Sequence, residues 1–186
     1  MPFIETDLPG LTIFQPQTFG DHRGYFLESF NRNTFTQAGI DVDFVQDNES
    51  KSQYGVVRGL HYQLNPYSQA KLVRVIIGKV LDVVIDIRKG SPTHGKKYEI
   101  ILSGENKTQL FIPRGFAHGF SVLEDNTIFS YKCDNFYNKE SEGGILFDDP
   151  ALDIDWQVPT EKMLVSDKDR VNPVLRDNIN NFEFSA

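Results

Sequence analysis

Cysteine is almost absent from this chain. The single one, Cys133, excludes an internal disulfide and leaves no cysteine cluster for a structural zinc. That usage points to a reducing, cytoplasmic setting. Basic residues are not in excess either. The formal charge is −7, whereas a general binder of DNA or RNA displays a basic face. A small anionic substrate is still open to it, because a local group of Arg and Lys overrides the global sign. No stretch approaches the ~20 apolar residues of a membrane-spanning helix. The start, Met1-Pro2-Phe3-Ile4-Glu5-Thr6-Asp7, has neither the basic beginning nor the apolar core of a secretory signal. Repeats and low-complexity linkers are missing, and helix-period patterning is scarce. The expectation is one domain over residues 1–186, with no nucleic-acid or membrane partner.

What the chain does have is β-pattern. Phenylalanine is abundant, with 15 residues, and 39% of the chain is hydrophobic, enough for a sizeable core. Strands are expected at Leu11–Phe14, Tyr25–Phe30, Phe44–Ser50, Val56–Gln63, Lys71–Ile77, Val80–Arg88, Tyr98–Leu102, Leu110–Ile112, the segment after Pro113 up to Leu123, and Thr127–Cys133. Asn33 to Gly39 is expected to form a short helix stopped by Gly39. From Asp148 onward the chain is loop-rich, with short helical pieces. Strands recur about every ten residues with turn signals between them, the pattern of an all-β sandwich or barrel. A jelly roll, or cupin, fits best, because it encloses a cavity between its sheets.

The chemistry concentrates around Arg58-Gly59-Leu60-His61-Tyr62-Gln63 and Lys71, which read as a β-hairpin. An imidazole removes a proton near neutral pH, and an ammonium holds the negative charge that results. An arginine grips phosphate. Strict alternation puts His61 and Gln63 on one face and Arg58 on the other. Gly59 offers a resolution if it marks a bulge that re-aims the side chains. Further on, Gln46 and Asn48 share a face and either read the edge of a planar ring or form a solvated strand end. Phe26, Glu28 and Phe30 also alternate onto one face, so Glu28 either lines a cavity or sits on an exposed edge. His118, Phe120 and Val122 share one face, as do Phe129, Tyr131 and Cys133.

Pro113-x-Gly115-x-x-His118 resembles the second metal motif of cupins. The first such motif needs His-x-His, and this chain has His61-Tyr62-Gln63. An amide is a weak ligand, and two His without a strong third make a poor site for a first-row metal. No metal and no cofactor are expected.

Seven motifs, in order over about residues 3 to 170, resemble the dTDP-4-dehydrorhamnose 3,5-epimerase family. They are Phe19-Gly20-Asp21-x-Arg23-Gly24-x-Phe26, Gln46-Asp47-Asn48, Arg58-Gly59-Leu60-His61, Lys71-Leu72-Val73-Arg74, Pro113-x-Gly115-Phe116-Ala117-His118-Gly119-Phe120, Tyr131-Lys132 and Ser166-x-Lys168-Asp169. The resemblance implies a metal-free jelly-roll cupin working as a homodimer on a dTDP-linked 4-keto-6-deoxyhexose. It implies His61 as base, Asp169 as its carboxylate partner with Asp167 the local rival, Lys71 at the enolate oxygen and Tyr131 as the acid on the opposite face. It also implies Arg23, Arg58 and Lys168 around nucleotide and diphosphate, and Glu28, Gln46, Asp47 and Asn48 near base and sugar. His118 is implied at the sugar, Tyr137 on the thymine and Glu142 as a further contact. The same residues also fit an epimerase of C3 or C5 alone. A non-catalytic sugar-binding cupin would leave the His–Asp pair without a task, and a metal-dependent one is disfavoured by Gln63.

Overall fold

The computed structural model describes residues 2–185. In chain order the strands are β1 (Phe3–Glu5), β2 (Thr12–Phe14), β3 (Thr18–Asp21) and β4 (Gly24–Leu27). After helix α1 (Arg32–Gln37) come β5 (Gln46–Ser52), β6 (Val56–Gln63), β7 (Lys71–Ile77), β8 (Lys79–Asp86) and β9 (Lys97–Ser103). They are followed by β10 (Gln109–Ile112), β11 (Phe116–Val122), β12 (Thr127–Cys133), β13 (Glu142–Gly144) and β14 (Leu164–Val165).

Two sheets face each other. One runs β1-β2-β10-β7-β12-β5; the other runs β13-β6-β11-β8-β9, with β14 alongside β6. The pairings are antiparallel except β14 on β6. This is the expected β-sandwich, with one correction of consequence. β6 and β7 do not form a hairpin. They belong to opposite sheets, so the loop between them crosses the sandwich. The same switch happens at Gly78, which alone separates β7 from β8 and has φ +82. A side chain there would also run into Thr127, so only glycine makes this corner.

Val73, Val75, Leu110 and Phe129 from the first sheet meet Val80, Val84, Leu102, Phe120 and Val122 from the second. The remaining faces are covered in different ways. Outward residues of the second sheet, Leu60, Leu81, Val83 and Ile85, pack under the tail residues Ile145, Phe147, Leu152, Trp156 and Phe182. That is why β8 is apolar in both alternations: it is buried on both sides. Each fully buried side chain of this size contributes roughly 1.5–3 kcal/mol, which keeps the tail docked despite its few regular elements. On the first sheet, α1 places Phe35 among Phe3, Phe14 and Phe30 at centroid distances of 5.0, 4.9 and 5.0 Å. Asn31 caps this helix by accepting from the N–H groups of Asn33 and Thr34.

Some elements differ from the sequence reading. β1, β3, β13 and β14 are additional, and β5 begins at Gln46 rather than Phe44. The strand expected over Tyr25–Phe30 ends at Leu27, and Phe30 turns instead onto Phe35 and Phe44. β3 and β4 form a two-stranded hairpin outside both sheets, with Phe19, Tyr25 and Phe26 55%, 59% and 69% exposed.

Candidate active site

One end of the sandwich interior is polar, and β6 supplies its first residues. Across the β6–β11 ladder His61 pairs with His118 and Arg58 with Phe120. Between these pairs Gly59 and Leu60 stand opposite Gly119 alone. Two residues against one is a bulge, and it turns Arg58 onto the same side as His61. Gly59 has φ +124, and a Cβ on it would lie 2.5 Å from the Cα of Gly119. The two glycines therefore permit the close approach that the bulge needs. The conflict between alternation and a shared site is thereby resolved.

His61 meets a carboxylate from far along the chain. Its Nε2 lies 2.6 Å from Oδ1 of Asp169. The imidazole is 40% exposed and the carboxylate 4%. Burial works to raise the Asp169 carboxyl, but hydrogen bonds from His61, from the Gly59 N–H (3.3 Å) and from Ser166 hold it below the ordinary value. Asp169 opens a 3-10 turn, Asp169–Val171, in which its own N–H donates to the Ser166 hydroxyl at 3.2 Å. Asp167 points to solvent. With Nε2 committed to Asp169, Nδ1 is the ring nitrogen left to accept a proton.

His118 has a carboxylate of its own. Its Nε2 lies 2.8 Å from Oδ2 of Asp82, and both residues are buried. The other oxygen, Oδ1, is buried without a hydrogen-bond partner. The imidazole stacks on Phe129 at 6.2 Å and 26°, and Phe129 stacks in turn on Phe120 at 4.2 Å. No sequence motif marks Asp82. Its only signal was a carboxylate inside an otherwise apolar strand, and Asp86 four residues later gives the same signal for a different task. Asp86 binds Arg88, Ser91 and Thr93 and holds a turn together.

The opposite sheet contributes Lys71, Tyr131 and Cys133. Lys71 and Cys133 are direct partners across the β7–β12 ladder. Burial depresses the Lys71 ammonium, while Cys133 and Asp82 pull it back upward. Burial likewise pushes the Cys133 thiol up to about 11, so it is neutral at pH 7. The Lys71 amine lies 5.7 Å from the centre of the Tyr131 ring. Burial raises the Tyr131 phenol, as does Cys133, against a smaller opposing pull from Arg58. Tyr131 also packs on Phe129, at 6.1 Å, so an aromatic floor runs from His118 to Tyr131.

A polar rim surrounds these groups. Gln46 and Asn48 share a face, as alternation requires, with Gln46 Nε2 donating to Asn48 Oδ1 at 3.0 Å. Asn48 Nδ2 reaches the Cys133 sulfur at 3.7 Å. The Tyr137 N–H donates to Gln46 Oε1. Desolvation and the neighbouring Glu142 both raise the Tyr137 phenol. Glu142 pairs with Lys168 at 2.5 Å and stands beside Gln63 in the β13–β6 ladder.

Three of the residues singled out from the sequence lie elsewhere in the chain. Asp47 points from the other face of β5 and binds Lys132 at 3.0 Å. Arg23 is held by Asp21 at the tip of the exposed β3–β4 hairpin. Glu28 follows that hairpin and is exposed. Gln63 does not serve a metal, because its amide is spent on backbone groups of Tyr67, Phe136 and Asn138. Among the described residues no group of three His, Cys, Asp or Glu side chains gathers as a metal site, and the donors present do not fit one. Among the same residues no helix is long and apolar enough to cross a membrane.

The family model described as dTDP-4-dehydrorhamnose 3,5-epimerase matches residues 5–177. A dTDP-4-dehydrorhamnose 3,5-epimerase of Shigella flexneri is 56% identical over 170 residues, covering 91% of this chain and 93% of that protein. The crystal structure of a dTDP-6-deoxy-D-glucose-3,5-epimerase from Legionella pneumophila, in complex with dTDP-4-keto-L-rhamnose, superimposes with a TM-score of 0.94 at 47% identity. It covers 99% of this chain and 98% of its own. That of a dTDP-4-dehydrorhamnose 3,5-epimerase from Elizabethkingia anophelis gives 0.90 at 51% identity, over 94% and 96% of the two chains.

Proposed function

The chain belongs to the dTDP-4-dehydrorhamnose 3,5-epimerase family, and on that premise we propose the part each residue plays in the reaction. The enzyme inverts C3 and C5 of dTDP-4-dehydro-6-deoxy-D-glucose to give dTDP-4-dehydro-L-rhamnose. The C4 ketone acidifies the C–H bonds on both neighbouring carbons. His61 takes the proton from one face, and the electron pair moves onto the ketone oxygen as an enolate. Lys71 stabilises that oxygen, in a desolvated setting where a charge acts strongly. Tyr131 returns a proton to the carbon from the other face. The depth at which its phenol is buried keeps it protonated until then. Asp169 holds the imidazole in one tautomer and stabilises the imidazolium. His118, fixed by Asp82, faces the sugar.

The observation that carries this reading is the 2.6 Å contact between the half-exposed His61 and the buried Asp169. A binding protein has no need of such a pair. Arg58 and Lys168 take the diphosphate, since both are cations beside the base. Gln46, Asn48, Tyr137 and Glu142 take the base and sugar.

Arg23 and Glu28, with Asp47, lie apart from this set. We assign Arg23 and Glu28 to the nucleotide site of a second copy, reached by the hairpin in a homodimer. The support is the exposure of Phe19, Tyr25 and Phe26, too much aromatic surface for a free arm. We take residues 1–186 as one catalytic domain, supported by the burial of Trp156 and Phe182 under the second sheet. A cytoplasmic location accords with the free thiol of Cys133.

Proton NMR of the substrate incubated with enzyme in D₂O tests the reading. Deuterium is expected at both C3 and C5. Uptake at a single position would make the enzyme a monoepimerase.

A further inference from the structure

Gln63 is two residues beyond His61 and 6% exposed. Its Nε2 donates to the carbonyls of Tyr67 at 2.7 Å and Phe136 at 3.2 Å. Its Oε1 accepts from the Asn138 N–H at 2.7 Å. Phe136 and Asn138 are the two neighbours of Tyr137. The remaining N–H, that of Tyr137 itself, donates to Gln46 Oε1 at 3.2 Å. Two side-chain amides, one from each sheet, thus pin the backbone before, at and after Tyr137. The tyrosine has little packing of its own to fix it, being 57% exposed, and the segment around it belongs to no strand or helix. Neighbouring ties reinforce the arrangement: Gln69 Nε2 donates to the Asn135 carbonyl at 2.8 Å, and Asn135 Nδ2 to that of Pro66 at 3.0 Å.

From these contacts we infer that Gln63 is a positioning residue for nucleotide recognition, holding Tyr137 ready for the base while His61 on the same strand works on the sugar. The inference rests on the assignment of Tyr137 to the thymine base. The task calls for an amide. Gln63 must donate twice and accept once, which a carboxylate or a hydrocarbon cannot do. An exposed aromatic that is ordered before binding spares the complex the entropy of ordering it. One strand then couples the two ends of the substrate, with the reacting carbon near His61 and the base held through Gln63. This also gives a physical reason for an amide at the position where metal-binding cupins carry histidine.

Full-length Gln63→Glu and Gln63→Leu are to be titrated calorimetrically with dTDP and, separately, with inorganic pyrophosphate. Gln63→Glu keeps the size and the acceptor for Asn138 but sets a carboxylate oxygen against the Tyr67 and Phe136 carbonyls, so it breaks both donated bonds without opening a cavity. The dTDP dissociation constant is expected to rise about tenfold, with that of pyrophosphate changed by less than about twofold. KM is expected to rise with dTDP, and kcat to stay within about threefold. Folded variants that bind dTDP as tightly as the native enzyme would overturn the inference. So would equal weakening of dTDP and pyrophosphate, or failure of Gln63→Glu to fold, each of which makes the amide a general structural tie. Tyr137→Ala separates the two readings. If it weakens dTDP and Gln63→Glu does not, the inference alone fails. If Tyr137→Ala leaves dTDP binding intact, the base assignment fails and takes the inference with it.

Discussion

Asp169 stands 108 residues after His61 in the chain and 2.6 Å from it in space. The carboxylate is sealed from water, whereas the imidazole is 40% exposed. That asymmetry suits a base that must meet substrate while its orientation is held from behind. Asp82 on β8 and His118 on β11 repeat the arrangement, with both side chains buried. The first pair reaches solvent through its imidazole, and the second is closed off from it.

His61→Ala should abolish exchange of the substrate C–H with solvent deuterium, followed by NMR. Asp169→Asn should lower kcat/KM by about 10²–10⁴ while leaving dTDP affinity unchanged, because the loss is in the orientation of the base. Full exchange retained in His61→Ala would remove His61 from the role.

Tyr131→Phe should impair delivery of the new proton more than removal of the old one. Deuterium wash-in at the first carbon should then persist while inverted product becomes scarce. Equal loss of both in a folded variant would count against the acid assignment.

Lys71→Met should cost a factor of about 10²–10³ in kcat. Because burial holds its ammonium below the ordinary lysine range, the charged form disappears as pH rises through that lowered value. The native rate should therefore fall on the alkaline side, below pH 10.5, and the variant should lack that limb. An identical alkaline limb in Lys71→Met would assign it to another group.

Asp86 offers a test of stability apart from catalysis. Burial alone would raise its carboxyl, yet hydrogen bonds from Arg88, Ser91 and Thr93 hold it down at about 2, against an ordinary 3.8. A depressed carboxyl stabilises the fold above its unfolded value and loses that contribution as pH falls through the folded one. A depression of this size is worth roughly 2 kcal/mol at neutral pH. Asp86→Asn should lose about that much in denaturant titrations at pH 7, and the difference from native should vanish toward pH 2. A difference independent of pH would refute the charge argument.

Sedimentation equilibrium should give twice the mass of the chain. Phe19→Ser with Phe26→Ser should shift the enzyme toward monomer, and Arg23→Ala should weaken dTDP in an otherwise intact dimer. A native monomer with full activity would remove the hairpin from the site.

Much of the local structure was legible beforehand. β6, β7 and β12 run over the residues that their apolar and β-branched composition marks out, because strand formation depends on neighbours in sequence. Polar positions such as His61, Lys71 and Tyr131 stood out for the same reason, each set in an apolar run. Sheet membership was not legible. An alternating segment followed by a short loop reads alike whether the next strand returns beside it or crosses to face it. β6 and β7 cross, and the crossing is what sets His61 and Lys71 in opposite walls of one sandwich.

The chain by itself determined most of the long strands, the candidate polar positions within them, and the family to which their order belongs. Only the tertiary structure decided between Asp167 and Asp169, gave Asp82 to His118, spent Gln63 on the Tyr137 loop and stood the Arg23 hairpin clear of His61. Alternation and propensity act over a few residues, whereas each of these outcomes is a contact between segments that only the folding of both sheets brings together.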